Sequence, residues 1–142
     1  DIQLAWEPAA ALWTVAFDPL QLDQILTNLC VNARRAMADV GTISLGTANT
    51  VVDATFCTTH ADAVPGEFVR LFVRDTGSGM NEAMQARIFE PFYTTKGVGE
   101  GPGLGLPSVY GAIRQNDGFI TVSSTVGAGT TFEIYVPRFA GG

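Results

Sequence analysis

Apolar and polar residues follow one another along this chain in two periods, which predict where strands and helices form. Strand-like patterns occupy residues 1–6, 13–17, 42–52, 67–74, 119–124 and 130–137. Apolar residues three to four apart predict helices over residues 19–38, 81–88 and 106–116, while residues 54–66 read as a polar loop. Asp18-Pro19 marks the first helix start, since Asp caps helices and Pro suits their first turn. This order of elements predicts a mixed, largely antiparallel sheet covered on one face by about three helices.

A second, polar stripe follows the first predicted helix. Gln24, Asn28 and Asn32 are four residues apart and Arg35 follows three later, so these side chains share one helix face. Asparagine is a poor helix residue that prefers caps and turns. A solvated surface would explain one such residue, but two asparagines in register on an otherwise apolar helix favour a binding site.

Glycine is frequent in the stretch between Arg74 and Tyr110. Asp75 ends a predicted strand and is followed at once by Gly77 and Gly79, and further glycines from 97 to 105 lead into the last predicted helix. Glycines let a backbone approach a ligand closely, and a helix N-terminus offers free N–H groups that bind phosphate. An acid at one end and an anion site at the other predict a nucleotide bound between them.

Composition limits the remaining choices. The 142 residues, 46% hydrophobic and 15% charged, fit one globular domain over 1–142. No apolar run is long enough to cross a membrane. The formal charge of −6 argues against non-specific binding to nucleic acid. Because the chain begins without Met or a signal sequence, we expect a piece of a longer protein.

Five short motifs occur in the order found in one known family. They read NLCVNARRAM at 28–37, DTGSG at 75–79, FEPFYTTK at 89–96, GPGLGL at 101–106 and GAGTTF at 127–132. Together they resemble the N box, first glycine box, F box, second glycine box and last glycine box of the catalytic and ATP-binding domain of sensor histidine kinases. That domain belongs to the gyrase, heat-shock-90 and MutL (GHKL) ATPase superfamily. The resemblance covers almost the whole chain and implies the Bergerat fold, an α+β two-layer sandwich with a glycine-rich ATP lid.

Three polar residues receive roles from this resemblance and from elementary chemistry. Asp75 is expected to accept a hydrogen bond from the exocyclic amine of adenine, which favours ATP because a carboxylate cannot donate to the carbonyl oxygen of guanine. Asn32 is expected to ligate Mg²⁺, which binds few protein oxygens beside phosphates and water. Asn28 stands where hydrolytic members of the superfamily carry a glutamate base, and an amide cannot take a proton. The resemblance implies phosphoryl transfer rather than steady hydrolysis, with Asn28, Asn32 and Lys96 as catalytic residues.

The other implied contacts surround the phosphates and the base. Arg35 and Lys96 are the candidate phosphate cations, with surface side chains as the alternative. Pro102 stiffens the lid and removes one donor from it. Thr130 is expected to reach the adenine ring, directly or through water. Met80, Ile88 and Leu104 are expected to form the apolar walls around the base, with a plain core role as the alternative, and for Met80 and Ile88 both roles can hold together. The full expected set for ATP is Asn28, Asn32, Arg35, Asp75, Gly77, Gly79, Met80, Ile88, Thr94, Thr95, Lys96, Gly101, Gly103, Leu104, Gly105, Leu106 and Thr130.

The phospho-acceptor is expected outside this chain. His60 is the only histidine, and it lies in a predicted loop without the acid that follows the family's acceptor histidine. The resemblance implies a dimerising helical domain N-terminal to Asp1 that carries the substrate histidine. The implied partners are that domain, in a homodimer of the full protein, and a response regulator; neither nucleic acid nor direct membrane contact is expected. ATP and reduced Cys30 and Cys57 indicate a cytoplasmic domain.

Two other functions remain open. The domain is a degenerate nucleotide-binding scaffold or sensor without transfer if the lid carrying Pro102 does not close. It is a hydrolytic ATPase of the gyrase type if another group replaces the glutamate missing at Asn28. A dinucleotide-binding fold is excluded, because the glycines do not follow a βαβ unit of the required form.

Overall fold

Residues 2–7, 11–37, 40–89 and 105–139 are the part of the chain that the computed structural model describes. Its strands are β1 (Ile2–Glu7), β2 (Gly41–Val52), β3 (Gly66–Asp75), β4 (Phe119–Thr125) and β5 (Gly129–Pro137). Its helices are α1 (Pro19–Ala36), α2 (Ala54–Cys57), α3 (Glu82–Gln85) and α4 (Leu106–Gln115). None of these described helices is long and apolar enough to cross a membrane.

The strands form one sheet in the order β1-β2-β3-β5-β4. β1 runs parallel to β2, whereas β2–β3, β3–β5 and the β4–β5 hairpin are antiparallel. α1 and α4 pack over one face, and α3 contacts the edge strand β4. This arrangement confirms the expected α+β sandwich with a mixed, mostly antiparallel sheet. The polar end of β3, which carries Asp75, therefore lies in the middle of the sheet.

Alternating side chains divide the apolar residues between the two faces of the sheet. On the helical face, residues such as Val73 join the main core beneath α1 and α4. On the other face, a smaller cluster is partly covered by α2, and its aromatic members are Phe56, Phe68, Phe119 and Tyr135. The prediction of a polar loop over 54–66 missed α2, which Asp53 caps by accepting a hydrogen bond from Phe56 N at 2.8 Å.

The long helix α1 follows its sequence signals. Asp18 Oδ1 accepts a hydrogen bond from Leu20 N at 3.0 Å, and Pro19 occupies the first helical position. The predicted apolar stripe is buried against the sheet, with Ile25 and Leu29 fully enclosed. Helix α1 ends at Ala36, next to the turn that follows β3. The polar stripe is thereby brought alongside the end of the central strand.

Two predicted elements differ from the structure. Residues 13–17 form a single bridge, Val15 to Arg138, instead of a strand. The side chain of Asn49 replaces a ladder there, accepting from Trp13 N at 2.9 Å and donating to Ala11 O at 2.8 Å. The alternating apolar residues of this segment, Trp13, Val15 and Phe17, pack against the main core. The predicted helix over 81–88 is only α3, continued by turns.

Candidate nucleotide-binding site

A row of polar residues crosses three neighbouring strands at one end of the sheet. Asp75 on β3 pairs with Thr130 on β5, and Thr130 pairs with Ser124 on β4. Strand alternation places these residues on the same face as Val73 and Phe132, which belong to the main core beneath the helices. Asp75 and Thr130 are each only 5% exposed. The row therefore puts polar groups at the edge of an otherwise apolar layer.

One oxygen of Asp75 is fully engaged and the other is open. Oδ1 accepts from Gly77 N at 2.8 Å and from Thr130 N at 3.3 Å. No described hydrogen bond reaches Oδ2, and no fully buried side-chain oxygen in the described residues lacks a partner. It follows that Oδ2 keeps access to solvent or a ligand. Burial raises the pKa of the Asp75 carboxyl above its ordinary value, and the two backbone hydrogen bonds oppose that rise.

Gly79 of the first glycine box and Gly129 of the last allow two turns to pack closely against their neighbours. A Cβ added to Gly79, at φ +73°, would overlap the carbonyl oxygen of Thr125, and one on Gly129, at φ +124°, would overlap that of Asp75. Gly127 N also donates to Ser78 O at 2.7 Å. These close approaches explain the need for glycine without a ligand. The same contacts fix the walls on either side of Asp75.

A network that sequence reasoning missed continues from this turn. Ser124 Oγ lies 2.7 Å from Met80 N and 2.8 Å from Thr130 Oγ1. Gln85 Nε2 donates to Met80 O and Ser124 O, both at 3.0 Å. The only signal for Ser124 was its position opposite Thr130 in the predicted hairpin, which required the correct register. The network fixes the backbone around two predicted base contacts, Met80 and Thr130.

The polar stripe of α1 approaches the same end of the sheet. Ala36 O accepts from Ser78 N at 2.9 Å, and Asn32 and Asn28 lie one and two turns earlier on that face. Asn28 is 8% exposed, yet no described hydrogen bond involves its side chain. No fully buried side-chain nitrogen or oxygen in the described residues lacks a partner, so the unpaired amide atoms of Asn28 keep access to solvent or to a ligand.

Asn32 and Arg35 are partly buried on the same helix and likewise have no partner among the described contacts. The described residues contain no cluster of three or more His, Cys, Asp or Glu side chains that could hold a metal. A neutral amide oxygen with no competing hydrogen bond fits Mg²⁺, which takes its other ligands from phosphates and water. Asn32 is thus compatible with its expected role.

The remaining predicted ATP contacts in the described residues lie either in the main core or at the start of α4. Ile88 is buried in the main core, while Met80 and Leu106 pack against it. Gly105 is the N-cap of α4 and has no side chain to cap it, and its carbonyl accepts from Val109 N at 3.1 Å. The predictions that fall outside the described residues are those for Thr94, Thr95, Lys96, Gly101, Pro102, Gly103 and Leu104.

His60 lies in a packed structural setting. Its ring stacks on Phe56 with centroids 3.9 Å apart, and Nδ1 lies 3.0 Å from Phe56 O. Phe56 belongs to the cluster on the face of the sheet opposite α1. The described contacts of His60 are with Phe56 and Thr59, and none of them links it to the stripe that carries Asn28.

Comparison with known proteins agrees with this geometry. Residues 17–140 match the family described as histidine kinase-, DNA gyrase B- and HSP90-like ATPase. Sensor kinase CckA of Brucella abortus is 45% identical over 138 residues, which are 97% of this chain and 15% of that protein. Sensor histidine kinase ZraS of Escherichia coli K12 is 34% identical over 137 residues, which are 96% of this chain and 26% of that protein. The chain thus spans only a minor part of these curated relatives.

Solved structures of histidine kinases have a similar fold. The catalytic domain of histidine kinase ThkA superposes with a TM-score of 0.74 at 26% identity, covering 96% of this chain and 79% of that one. Full-length ShkA in complex with AMPPNP gives 0.73 at 32% identity, covering 96% of this chain and 25% of that one. The match to the family model extends over most of the sequence. The chain therefore belongs to the family of histidine kinase-, DNA gyrase B- and HSP90-like ATPases.

Proposed function

We propose that this domain binds ATP with Mg²⁺ and donates the γ-phosphate to a histidine on a separate dimerisation domain, in two-component signalling. Asp75 is the single residue that supports this most. Its Oδ1 is held by Gly77 and Thr130, so Oδ2 points its lone pairs toward a donor that the described residues do not provide. The exocyclic amine of adenine is such a donor, and guanine has an acceptor at that position.

The phosphates and the ion belong to the α1 side of the site. Asn32 would hold Mg²⁺ through its amide oxygen, and Arg35 would meet a phosphate with a charge-assisted hydrogen bond. Mg²⁺, when bound, neutralises charge that develops on the transferred phosphoryl group. At the start of α4, Pro107 has no N–H group and those of Ser108 and Val109 donate to Gly105 O, so the N–H groups of Gly105 and Leu106 are the ones left for an anion. These groups bind and orient the triphosphate.

Asn28 favours transfer over hydrolysis. An amide can orient a water or a phosphate by hydrogen bonding, but it cannot remove a proton from water. The side chain at this position is neutral and nearly buried. The names of two relatives, a sensor histidine kinase and a two-component sensor, support a histidine as the acceptor.

Calorimetric titration of the 142-residue chain tests the binding step. We expect ATP with Mg²⁺ to bind with a roughly micromolar Kd and GTP to bind much more weakly. Asp75→Asn keeps an acceptor for both backbone N–H groups but turns an N–H₂ toward the adenine amine, so it should lose most of the ATP affinity. Equal affinities for ATP and GTP in the wild type would contradict the proposed role of Asp75.

Transfer needs a second experiment. The proposed dimerisation domain with its acceptor histidine, taken from the full-length protein, is added in trans with γ-labelled ATP. We expect acid-labile phosphate on that domain and none when Asp75→Asn replaces the wild type. Tight ATP binding without any transfer would support the scaffold alternative instead.

A further inference from the structure

The sheet face opposite α1 and α4 has a charged part as well as an aromatic part. At one end α2 packs on the aromatic cluster that contains Phe68 and Tyr135. Further along β3, strand alternation places Arg70, Phe72 and Arg74 on the same face. Arg74 is exposed, and the side chain of Arg70 is 27% exposed. Toward the nucleotide end, this face therefore presents arginine side chains to solvent or to a partner.

The ring of Phe72 holds two guanidinium groups. Arg70 Cζ lies 5.3 Å and Arg74 Cζ 5.0 Å from the ring centroid, and Phe72 is only 7% exposed. Stacking of a guanidinium on an aromatic ring is favourable and keeps the side chain flat on the sheet. Arg70 is neutralised by an ion pair with Glu133, whereas no described contact gives Arg74 an acidic partner. Arg74 therefore carries a fixed and uncompensated positive charge.

Hydroxyl groups lie on both sides of this charge. In the sheet register Arg74 pairs with Ser44 on β2 and with Thr131 on β5, and Thr131 pairs with Ser123 on β4. Paired residues on one face have Cβ atoms about 4.5–5.5 Å apart. No described hydrogen bond involves any of these three hydroxyls. The four residues, called here the Arg74 row, thus form a flat surface of free donors around one guanidinium.

The Arg74 row matches a single carboxylate. A guanidinium donates two parallel hydrogen bonds to the two oxygens of a carboxylate, and hydroxyls beside it can donate to the same oxygens. Nucleic acids and anionic membranes are bound through several lysines or arginines at once. The row has one free cation, in a chain whose formal charge of −6 repels a polyanion. An acidic side chain on a protein surface is the anion that this charge pattern favours.

We propose that the Arg74 row is a docking surface for a partner protein, which it binds through a carboxylate of an aspartate or glutamate. The row lies on the face of the sheet opposite the one that carries Asp75 and the polar stripe of α1. Docking and nucleotide binding then use separate surfaces. The proposal stands independently of the proposed function.

The test uses a decapeptide of glutamate as the probe, titrated into the 15N-labelled 142-residue chain with and without ATP and Mg²⁺. We expect amide shifts at Ser44, Arg74 and Thr131, with the same midpoint in both titrations. Arg74→Met keeps an apolar stem over Phe72 but removes the charge, so it should weaken binding by about 5-fold. Arg74→Lys should recover part of that loss, because the charge returns without the planar fork. Arg34→Met, at an exposed arginine of α1, is the matched control and should bind like the wild type.

Three results would overturn the proposal. Equal weakening by Arg74→Met and Arg34→Met would show that only the net charge matters. Shifts confined to α1 and the start of α4, and abolished by ATP, would place the peptide in the nucleotide site. A ten-residue oligothymidylate that binds the row as tightly as the peptide would exclude a preference for carboxylates. Thermal unfolding verifies that each variant is folded, and if Arg74→Met is not, Arg74→Gln replaces it in the same comparison.

Discussion

At the scale of single residues, Asp75 is subject to two opposing effects. Burial makes its charged form costly, while hydrogen bonds from Gly77 N and Thr130 N offset part of that cost, and the net result is a raised pKa. The folded domain thus holds this proton more tightly than the unfolded chain does. Its contribution to the free energy of unfolding is full below the ordinary carboxyl pKa of 3.8 and is lost as the pH rises through the raised value.

Asp75→Asn should therefore separate binding from stability. The variant is neutral at every pH and its Oδ1 can keep both backbone hydrogen bonds, so at pH 7 we expect an unfolding temperature equal to or above that of the wild type. ATP affinity should fall by about 10- to 100-fold. Thermal unfolding from pH 4 to 8 checks the sign, because the wild type should lose stability relative to the variant as the pH rises. A variant that is less stable than the wild type at pH 7 would contradict this account.

At the scale of elements, the two turns beside Asp75 also approach each other closely through their backbones. Gly79 combines a positive φ with a Cβ position that the carbonyl of Thr125 already occupies. Gly79→Ala should lower the free energy of unfolding by more than about 2 kcal/mol, from strain and overpacking together. Urea unfolding measures this directly.

Two other glycines provide matched controls. Gly127 has φ +84° but open space around its Cβ position, so Gly127→Ala should cost only about 1 kcal/mol. Gly111 lies inside α4 with nothing within 4 Å of its Cβ position, so Gly111→Ala should raise the free energy of unfolding by about 0.5–1 kcal/mol. Equal losses at Gly79 and Gly127 would show that backbone conformation alone, not the contact between the turns, requires glycine.

Another contact ties the segment after α2 to α4. Tyr110 OH donates to Asp62 Oδ2 at 2.6 Å, and this hydrogen bond, with burial, raises the pKa of Tyr110 above its ordinary value of 10.0. Tyr110→Phe should lower the free energy of unfolding by about 1 kcal/mol at pH 7. Since the pKa is raised, this contribution is full below the ordinary value of 10.0 and is lost as the pH rises through the raised value, so the difference between wild type and variant should shrink at higher pH. Urea unfolding at pH 7 and pH 11 measures both values, with Asp62→Asn, which keeps an acceptor, as the control.

Local signals explain how much of these elements the sequence could predict. The cap at Asp18 and the apolar period predicted α1, and polar residues in apolar patterns marked Asn28 and Asp75, which the structure places on facing elements. Ser124 carried no such signal, because serine is ordinary near a hairpin and its role depends on register. Residues 13–17 alternate like a strand, but burial against the core satisfies that pattern without a ladder.

At the scale of the whole molecule, the two faces of the sheet carry different groups of side chains. The polar stripe of α1 and the polar row lie on its helical face, while His60 stacks on Phe56 of the aromatic cluster on the other. His60 Nδ1 also lies 3.0 Å from Phe56 O. No described contact links His60 to the stripe, so we do not expect a phosphate bound at Asn32 to be transferred to His60 within one copy of the domain.

We accordingly expect the isolated chain to bind ATP without labelling its own histidine. Incubation with γ-labelled ATP and Mg²⁺, followed by a test for acid-labile phosphate, should give no label on the wild type or on His60→Ala. The transfer to an added helical domain should be equal for both proteins, because the described contacts of His60 are with the aromatic cluster. Label that appears on the wild-type chain and disappears in His60→Ala would place the acceptor inside this domain. In that case a labelling rate that rises with protein concentration would indicate transfer between two copies, and a rate independent of concentration would indicate transfer within one copy.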